Sequence, residues 1–177
     1  MVQWSAVKIS IVAVVTLTVG IMAPAGRAQQ SAPTLADTPQ VVNSPAGRLR
    51  VVPIKGLVYP WALAFLPNGD MLVTERPGRL RIVRNGVLDP HVISGVPTVR
   101  TDGNGGLMDV ALHPQFADNR LVYLTYTKPV GGGKGAPALA RGRLEAGALT
   151  DVRDLLVTEA YEGNSGLNGR VVFGRDG

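Results

Sequence analysis

The side chains of this sequence that could do acid–base or metal chemistry are few and widely spaced. There are two histidines and no cysteine; His91 lies in an Asp-Pro-His loop and His113 in a Leu-His-Pro-Gln-Phe turn. They fall in separate loops without a His-x-x-x-His spacing, so the pattern of a zinc site is missing and both read as structural. Acidic residues are not clustered as calcium ligands would be. Gly131-Gly132-Gly133-Lys134-Gly135 lacks the Gly-x-x-x-x-Gly-Lys-Ser/Thr order and a following helix. It reads as an interstrand loop and not as a phosphate cradle. Asp109 sits within the apolar run Leu107 to Leu112. A carboxylate there either faces a site or, as the preferred reading, satisfies backbone donors in a buried strand.

Charge and cysteine content narrow the function classes. The chain has 18 Lys and Arg against 13 Asp and Glu, a net charge of +5. These charges are scattered among glycines and apolar residues, without the basic face that a phosphate backbone would require, so no nucleic-acid partner is expected. Without cysteine there is neither a disulfide framework nor a thiolate metal site.

The N-terminus carries one charge in its first eight residues, Lys8, then fifteen apolar-rich residues from Ile9 to Ala23, then Pro24-Ala25-Gly26-Arg27-Ala28. That suits a secretory signal peptide over residues 1–28, cut after Ala28, better than the ~20 residues of a bilayer span. The alternative is an uncleaved N-terminal anchor. Residues 29–47 are rich in Pro, Ser, Ala, Thr and Gln and read as a flexible leader. Export to the periplasm, with no stable membrane span, is the expectation.

From Arg48 onward, short apolar runs are punctuated by Gly, Pro, Asn and Asp, which is a β-protein signature. Trp61 to Leu66, the turn Pro67-Asn68-Gly69-Asp70, and Met71 to Thr74 read as strand, turn, strand. Arg79 to Arg84 alternates arginine with Leu80 and Ile82, as an outer half-exposed strand would, before Asn85-Gly86. The order recurs over Leu107 to Leu112, His113 to Arg120, Leu121 to Tyr126 and Ala138 to Leu144. A third copy opens at Arg170 to Phe173 and reaches a turn at Gly174-Arg175-Asp176-Gly177. Pro67 and Pro114 are 47 residues apart, which fits one four-stranded propeller blade of roughly 40–50 residues. The expected fold is all-β: a partial β-propeller over 48–177, with two blades and the start of a third of a six-bladed ring. The alternative from pattern alone is a β-sandwich of about seven short strands. Propeller repeats bury their faces only against neighbours, so self-association through exposed blades is also an expectation.

Two strings carry a resemblance to a known family. Gly56-Leu57-Val58-Tyr59-Pro60-Trp61-Ala62-Leu63-Ala64-Phe65-Leu66-Pro67-Asn68-Gly69, with Met71 to Leu80 behind it, resembles the first blade of the soluble PQQ-dependent aldose and glucose/sorbosone dehydrogenases. Gly105 to Phe116, with Asn119 to Tyr126 and Ala138 to Leu144, is similar to the next blade. The resemblance implies a periplasmic quinoprotein with pyrroloquinoline quinone (PQQ) near the axis and calcium as cofactors. Its partners are a sugar and an electron acceptor, and it oxidises the anomeric hydroxyl of the sugar to a lactone.

In that family, a histidine within hydrogen-bond reach removes the C1 hydroxyl proton while hydride moves to the quinone. It lies in a stretch resembling Gly-Asn-His-Phe-Gly-Gly-Arg. The matching stretch here is Gly163-Asn164-Ser165-Gly166-Leu167-Asn168-Gly169-Arg170, so the histidine position falls on Ser165 or Gly166. Neither replaces an imidazole, because a serine hydroxyl without a neighbouring base is too weakly basic near neutral pH. Asn164 and Arg170 keep the family's residues and are binding candidates. Asn104, in Asp102-Gly103-Asn104-Gly105-Gly106, stands where the family shows glutamine; its amide still donates and accepts. Asn104 reads equally as a Gly-rich turn residue, and Arg170 as a surface arginine starting a strand. Two readings follow: a sugar dehydrogenase segment that is inactive by itself, or a non-catalytic propeller remnant or carbohydrate-binding β-module.

Overall fold

The computed structural model describes residues 37–163 and 169–175. Apart from one helical turn it is built from antiparallel strands, and the two repeats read from sequence become two four-stranded sheets.

The chain first forms a hairpin of β1 (Gln40–Ser44) and β2 (Gly47–Val51), exposed along nearly its whole length. This differs from the flexible leader expected over residues 29–47, of which Gln40 to Ser44 and Gly47 are paired. Val41, Val42, Leu49 and Val51 supply β-branched and aliphatic cross-strand neighbours to a tight Pro-Ala-Gly turn, which suffices to pair the backbone locally.

The first blade is a meander of β3 (Pro60–Phe65), β4 (Met71–Glu75), β5 (Arg79–Arg84) and β6 (Val87–Leu88), in that spatial order. Its first turn is closed by the Leu66 N–H donating to the Asp70 carbonyl at 2.8 Å, with Gly69 at φ +87°. Asn85 and Gly86, at φ +51° and +78°, form the two-residue hairpin turn that needs positive φ at both central positions. The second blade is β7 (Leu107–Leu112), the short helix α1 (Phe116–Asn119), β8 (Leu121–Pro129), β9 (Gly135–Glu145) and β10 (Ala148–Val157). Its strands pair in sequence order, β7 at one edge and β10 at the other. Gly131 to Lys134 is the loop joining β8 to β9.

The blades pack β3 and β4 against β7. Leu72, Leu80, Ile82 and Ile93 of the first join Leu107, Val110, Val122, Leu124 and Leu149 of the second in one buried cluster. Burying each such side chain contributes about 1.5–3 kcal/mol. A backbone clasp adds to this: the Leu149 N–H donates to the Ser94 carbonyl at 2.8 Å, tying the segment after β6 to β10. The molecule is therefore two adjacent blades of a β-propeller. One face of β3 leaves Trp61, Leu63 and Phe65 exposed.

Two strand expectations are corrected. β5 is not a half-exposed outer strand; Leu80, Arg81, Ile82 and Val83 are all buried, with β6 outside them. Arg81 is tolerated there because the Glu75 carboxylate lies 3.5 Å away and the Asp89 carbonyl accepts its Nη2–H at 2.9 Å. Arg170 to Phe173 adopts no strand, since no described residue offers these positions a ladder partner.

Candidate functional site

Each blade presents its first strand at the edge opposite β6 or β10, and these inner strands converge on a cleft of about 430 Å³. Pro60 to Leu63 of β3 form one wall, with Asp109 of β7 and Arg170 completing it. The convergence follows from a hydrogen-bond pattern that repeats from blade to blade. Thr74 Oγ1 accepts the Ala62 N–H at 3.0 Å within the first blade and donates to the Met108 carbonyl of the second at 2.5 Å. Thr125 Oγ1 accepts the Asp109 N–H at 3.0 Å and donates to the Gly169 carbonyl at 2.9 Å. Gly169 thus stands to the second blade as Met108 stands to the first. Arg170 takes the position of Asp109, although no strand forms around it.

Asp109 is 7% exposed, and its Oδ2 accepts the Val171 N–H at 2.9 Å. The preferred sequence reading, a carboxylate satisfying backbone donors, agrees with this; the donor belongs to the next unit and not to its own strand. Beyond it, the Phe173 ring stands edge-on to Tyr123 at 5.0 Å and to His113 at 5.5 Å. His113 Nδ1 accepts the Gln115 N–H at 3.0 Å, so this histidine shapes the turn into α1. His91 is bound to Asp89 at an exposed site.

Asn104 is exposed in a turn and is not among the residues lining the cleft with Arg170. Its loop is held from two sides. The Arg76 guanidinium donates to the Gly103 carbonyl and lies over the Tyr59 ring at 5.5 Å, while the Arg76 carbonyl accepts the Leu107 N–H at 3.0 Å. Arg100 Nε donates to Asp102 Oδ2 at 3.2 Å, and its Nη1 reaches the Gly163 carbonyl at 3.4 Å. Arg100 therefore joins the Asn104 loop to the residue that opens the Gly163-to-Arg170 stretch. Asn164, Ser165 and Gly166 lie outside the described residues. The structure brings Asp109, Arg170 and Trp61 into one cleft and sets Asn104 on a separate, braced loop.

Buried charge near the site is paired. Glu75, fully buried, accepts the Val58 N–H at 2.5 Å and the Arg79 Nε–H at 2.5 Å, which fixes the segment leading into β3. Farther out, Tyr126 donates to Asp154 Oδ1 at 2.6 Å, and Lys128 donates to Oδ2 at 2.5 Å. Burial first, then the contact with Asp154, pushes the Tyr126 phenol above its ordinary range. Burial opposes the charge on Asp154, yet hydrogen bonds from Lys128 and Tyr126 hold it below the usual carboxylate range. Among the described residues no three His, Asp or Glu side chains cluster to hold a metal ion.

Chemically, Arg170, which lines the cleft with Trp61, Leu57 and Leu63, offers a guanidinium that can hold an anionic group beside an apolar surface. Arg76, Arg100 and Thr125 were not singled out by sequence reasoning. Thr74 and Thr125 had a signal, because both follow the second apolar run of their repeat; the two arginines had none.

The family description "Glucose / Sorbosone dehydrogenase" matches residues 57–177. An uncharacterised protein of Synechocystis is 51% identical over 112 residues, covering 58% of this chain and 27% of that protein. The aldose sugar dehydrogenase YliI of Escherichia coli is 42% identical over 122 residues, covering 66% of this chain and 33% of the relative. The solved PQQ-bound form of the aldose sugar dehydrogenase from Streptomyces coelicolor is 28% identical with a TM-score of 0.52, over 58% of this chain and 31% of that one. The chain thus spans about a third or less of the length of the curated relatives it matches. Both packed blades and, Ile54 apart, the lining of the Arg170 cleft fall within the matched residues, and the chain belongs to the glucose/sorbosone dehydrogenase family.

Proposed function

We propose that this chain supplies the first two blades of a periplasmic quinoprotein that oxidises the C1 hydroxyl of aldose sugars to lactones, and that alone it does not turn over. The observation that carries this reading is the cleft where the exposed Arg170 meets the inner strands of both blades, in a chain 42% identical over 122 residues to an aldose sugar dehydrogenase.

The residues present fit PQQ in part. Arg170 and the apolar wall around Trp61 suit one carboxylate edge of a planar anionic quinone, and PQQ would supply the hydride acceptor. One guanidinium does not hold the whole molecule. The donors near the cleft do not make a calcium site, since Asp109 is committed to Val171. Calcium and most PQQ contacts are assigned to blades beyond those described. Asn104 and Asn164 are assigned as amide contacts at the rim. The histidine position falls on Ser165 or Gly166, so general-base catalysis, worth about 10²–10⁴-fold, is missing. Residues 1–28 are assigned as an export signal.

Dye-linked aldose oxidation by the purified chain, with PQQ and calcium added, tests this. No rate above background is expected; measurable lactone formation overturns the claim of inactivity. The second reading, a carbohydrate-binding remnant, is favoured by the same missing histidine, and saturable sugar binding without PQQ would support it.

A further inference from the structure

The backbone on both sides of Arg170 is held by side chains of the preceding blade. The Gly169 carbonyl accepts from Thr125 Oγ1 at 2.9 Å, and the Val171 N–H donates to Asp109 Oδ2 at 2.9 Å. Asp109 and Thr125 are themselves joined, because the Asp109 N–H donates to Thr125 Oγ1 at 3.0 Å. All three contacts are on or beside a buried strand: Asp109 is 7% and Thr125 9% exposed. Residues 169–175, by contrast, belong to no strand, and Val172 is 86% exposed. The segment therefore lacks the ladder that would ordinarily fix a first strand. Its described polar ties to the second blade are the two that bracket Arg170.

We infer that Asp109 and Thr125 are positioning residues for Arg170, forming a clamp that sets its backbone where the residue lines the inner-strand cleft. The first blade supplies an internal control. Thr74 makes the same two hydrogen bonds, but the residue matching Asp109 there is Ala62, and the next unit's first strand is already laddered to β8 on both sides of the contact, through Leu107 and through Val110 to Leu112, with Met108 and Asp109 in the bulge between. A carboxylate is found where the next unit has no ladder, and an alanine where it has one. The clamp holds the segment without occupying the guanidinium, since both contacts go to main-chain atoms. One of the two bonds is charge-assisted, and both are partly shielded from water, which helps to keep the segment in one place. The relevance to catalysis rests on the assignment of Arg170 to the PQQ site; the clamp itself does not.

The test is amide exchange of the full chain by NMR, without ligand, in four variants. Asp109→Ala removes the acceptor, and exchange at Val171 should rise by about tenfold or more while the β8–β9 ladder stays protected. Asp109→Asn keeps an acceptor oxygen and should restore protection to within a few-fold. Thr125→Val, of nearly the same shape, should loosen Gly169 and Arg170, and Thr125→Ser should not. Unchanged Val171 exchange in Asp109→Ala overturns the clamp, as does equal loss in Asp109→Ala and Asp109→Asn or loss spread over the whole second blade. Adding PQQ separates the two claims. Protection at Arg170 that disappears in Asp109→Ala supports both. An intact clamp with no response to PQQ leaves the positioning role standing and removes Arg170 from the cofactor site.

Discussion

Thr74 and Thr125 occupy the same position in successive blades, each accepting a backbone N–H from its own inner strand and donating to a carbonyl of the next unit. Together with the Leu149–Ser94 and Leu107–Arg76 backbone bonds, these hydroxyls give direction to a contact that is otherwise apolar and non-directional. The hydroxyl bonds to the inner strands themselves, and so acts directly on how far one slides past the next and where the cleft-lining residues meet.

Replacing Thr74 with Val should lower stability by about 1–3 kcal/mol, because the buried Met108 carbonyl and Ala62 N–H lose their partner. Thr74→Ser should recover most of it. Urea midpoints of the three proteins measure this, and equal midpoints for Val and Ser would contradict the staple.

Glu75 is the larger electrostatic commitment. Its carboxylate is fully buried against Arg79 and Arg81 and also holds the Val58 N–H. Glu75→Ala leaves Arg81 buried without its counter-charge and should cost about 3–5 kcal/mol. Glu75→Gln should cost less, since it still accepts from Val58. Chemical denaturation gives the order, which should be wild type, Gln, then Ala.

Gly106 approaches Arg76 more closely than any side chain allows. A Cβ would lie 2.2 Å from the Arg76 carbonyl oxygen, and φ is +144°. Gly106→Ala should therefore push the Asn104 loop away from Arg76 and destabilise by at least about 1–3 kcal/mol. Gly69→Ala, in a turn with nothing within 4 Å of the added carbon, should cost less, about 1 kcal/mol. Thermal melts of the two variants compare them.

Asp154 gives a pH dependence of defined sign. Its folded pKa is held below the ordinary carboxylate value by Lys128 and Tyr126, so its contribution is complete above about pH 4 and is lost as pH falls through the folded value. Partial exposure keeps it below about 1 kcal/mol. The Tm difference between wild type and Asp154→Asn should shrink on acidification below pH 4; a difference that grows there would contradict the pairing.

The two strand–turn–strand units were legible because Pro67-Asn68-Gly69-Asp70 and Asn85-Gly86 name their turns through φ requirements, and because inner strands are continuous apolar runs. β10 was not read as a strand: irregular pairing between Thr150 and Arg153, and again between Asp154 and Leu156, breaks the alternation that marks one. Arg81 looked solvent-facing because its partner Glu75 is six residues away across a strand pair, and charge pairing over a ladder leaves no local signal. Arg170 was found through a motif. Its clamp was not, because Asp109 and Val171 are 62 residues apart and only packing brings them together.

The most direct measurement grafts residues 57–177 in place of the matching segment of the Escherichia coli aldose sugar dehydrogenase and compares PQQ-dependent aldose oxidation with the host. The graft's thermal transition confirms that it is folded. With Ser165 and Gly166 unchanged, the rate should fall by about 10²–10⁴-fold, and Ser165→His or Gly166→His should recover much of it. A folded graft as active as the host without that histidine would contradict the account.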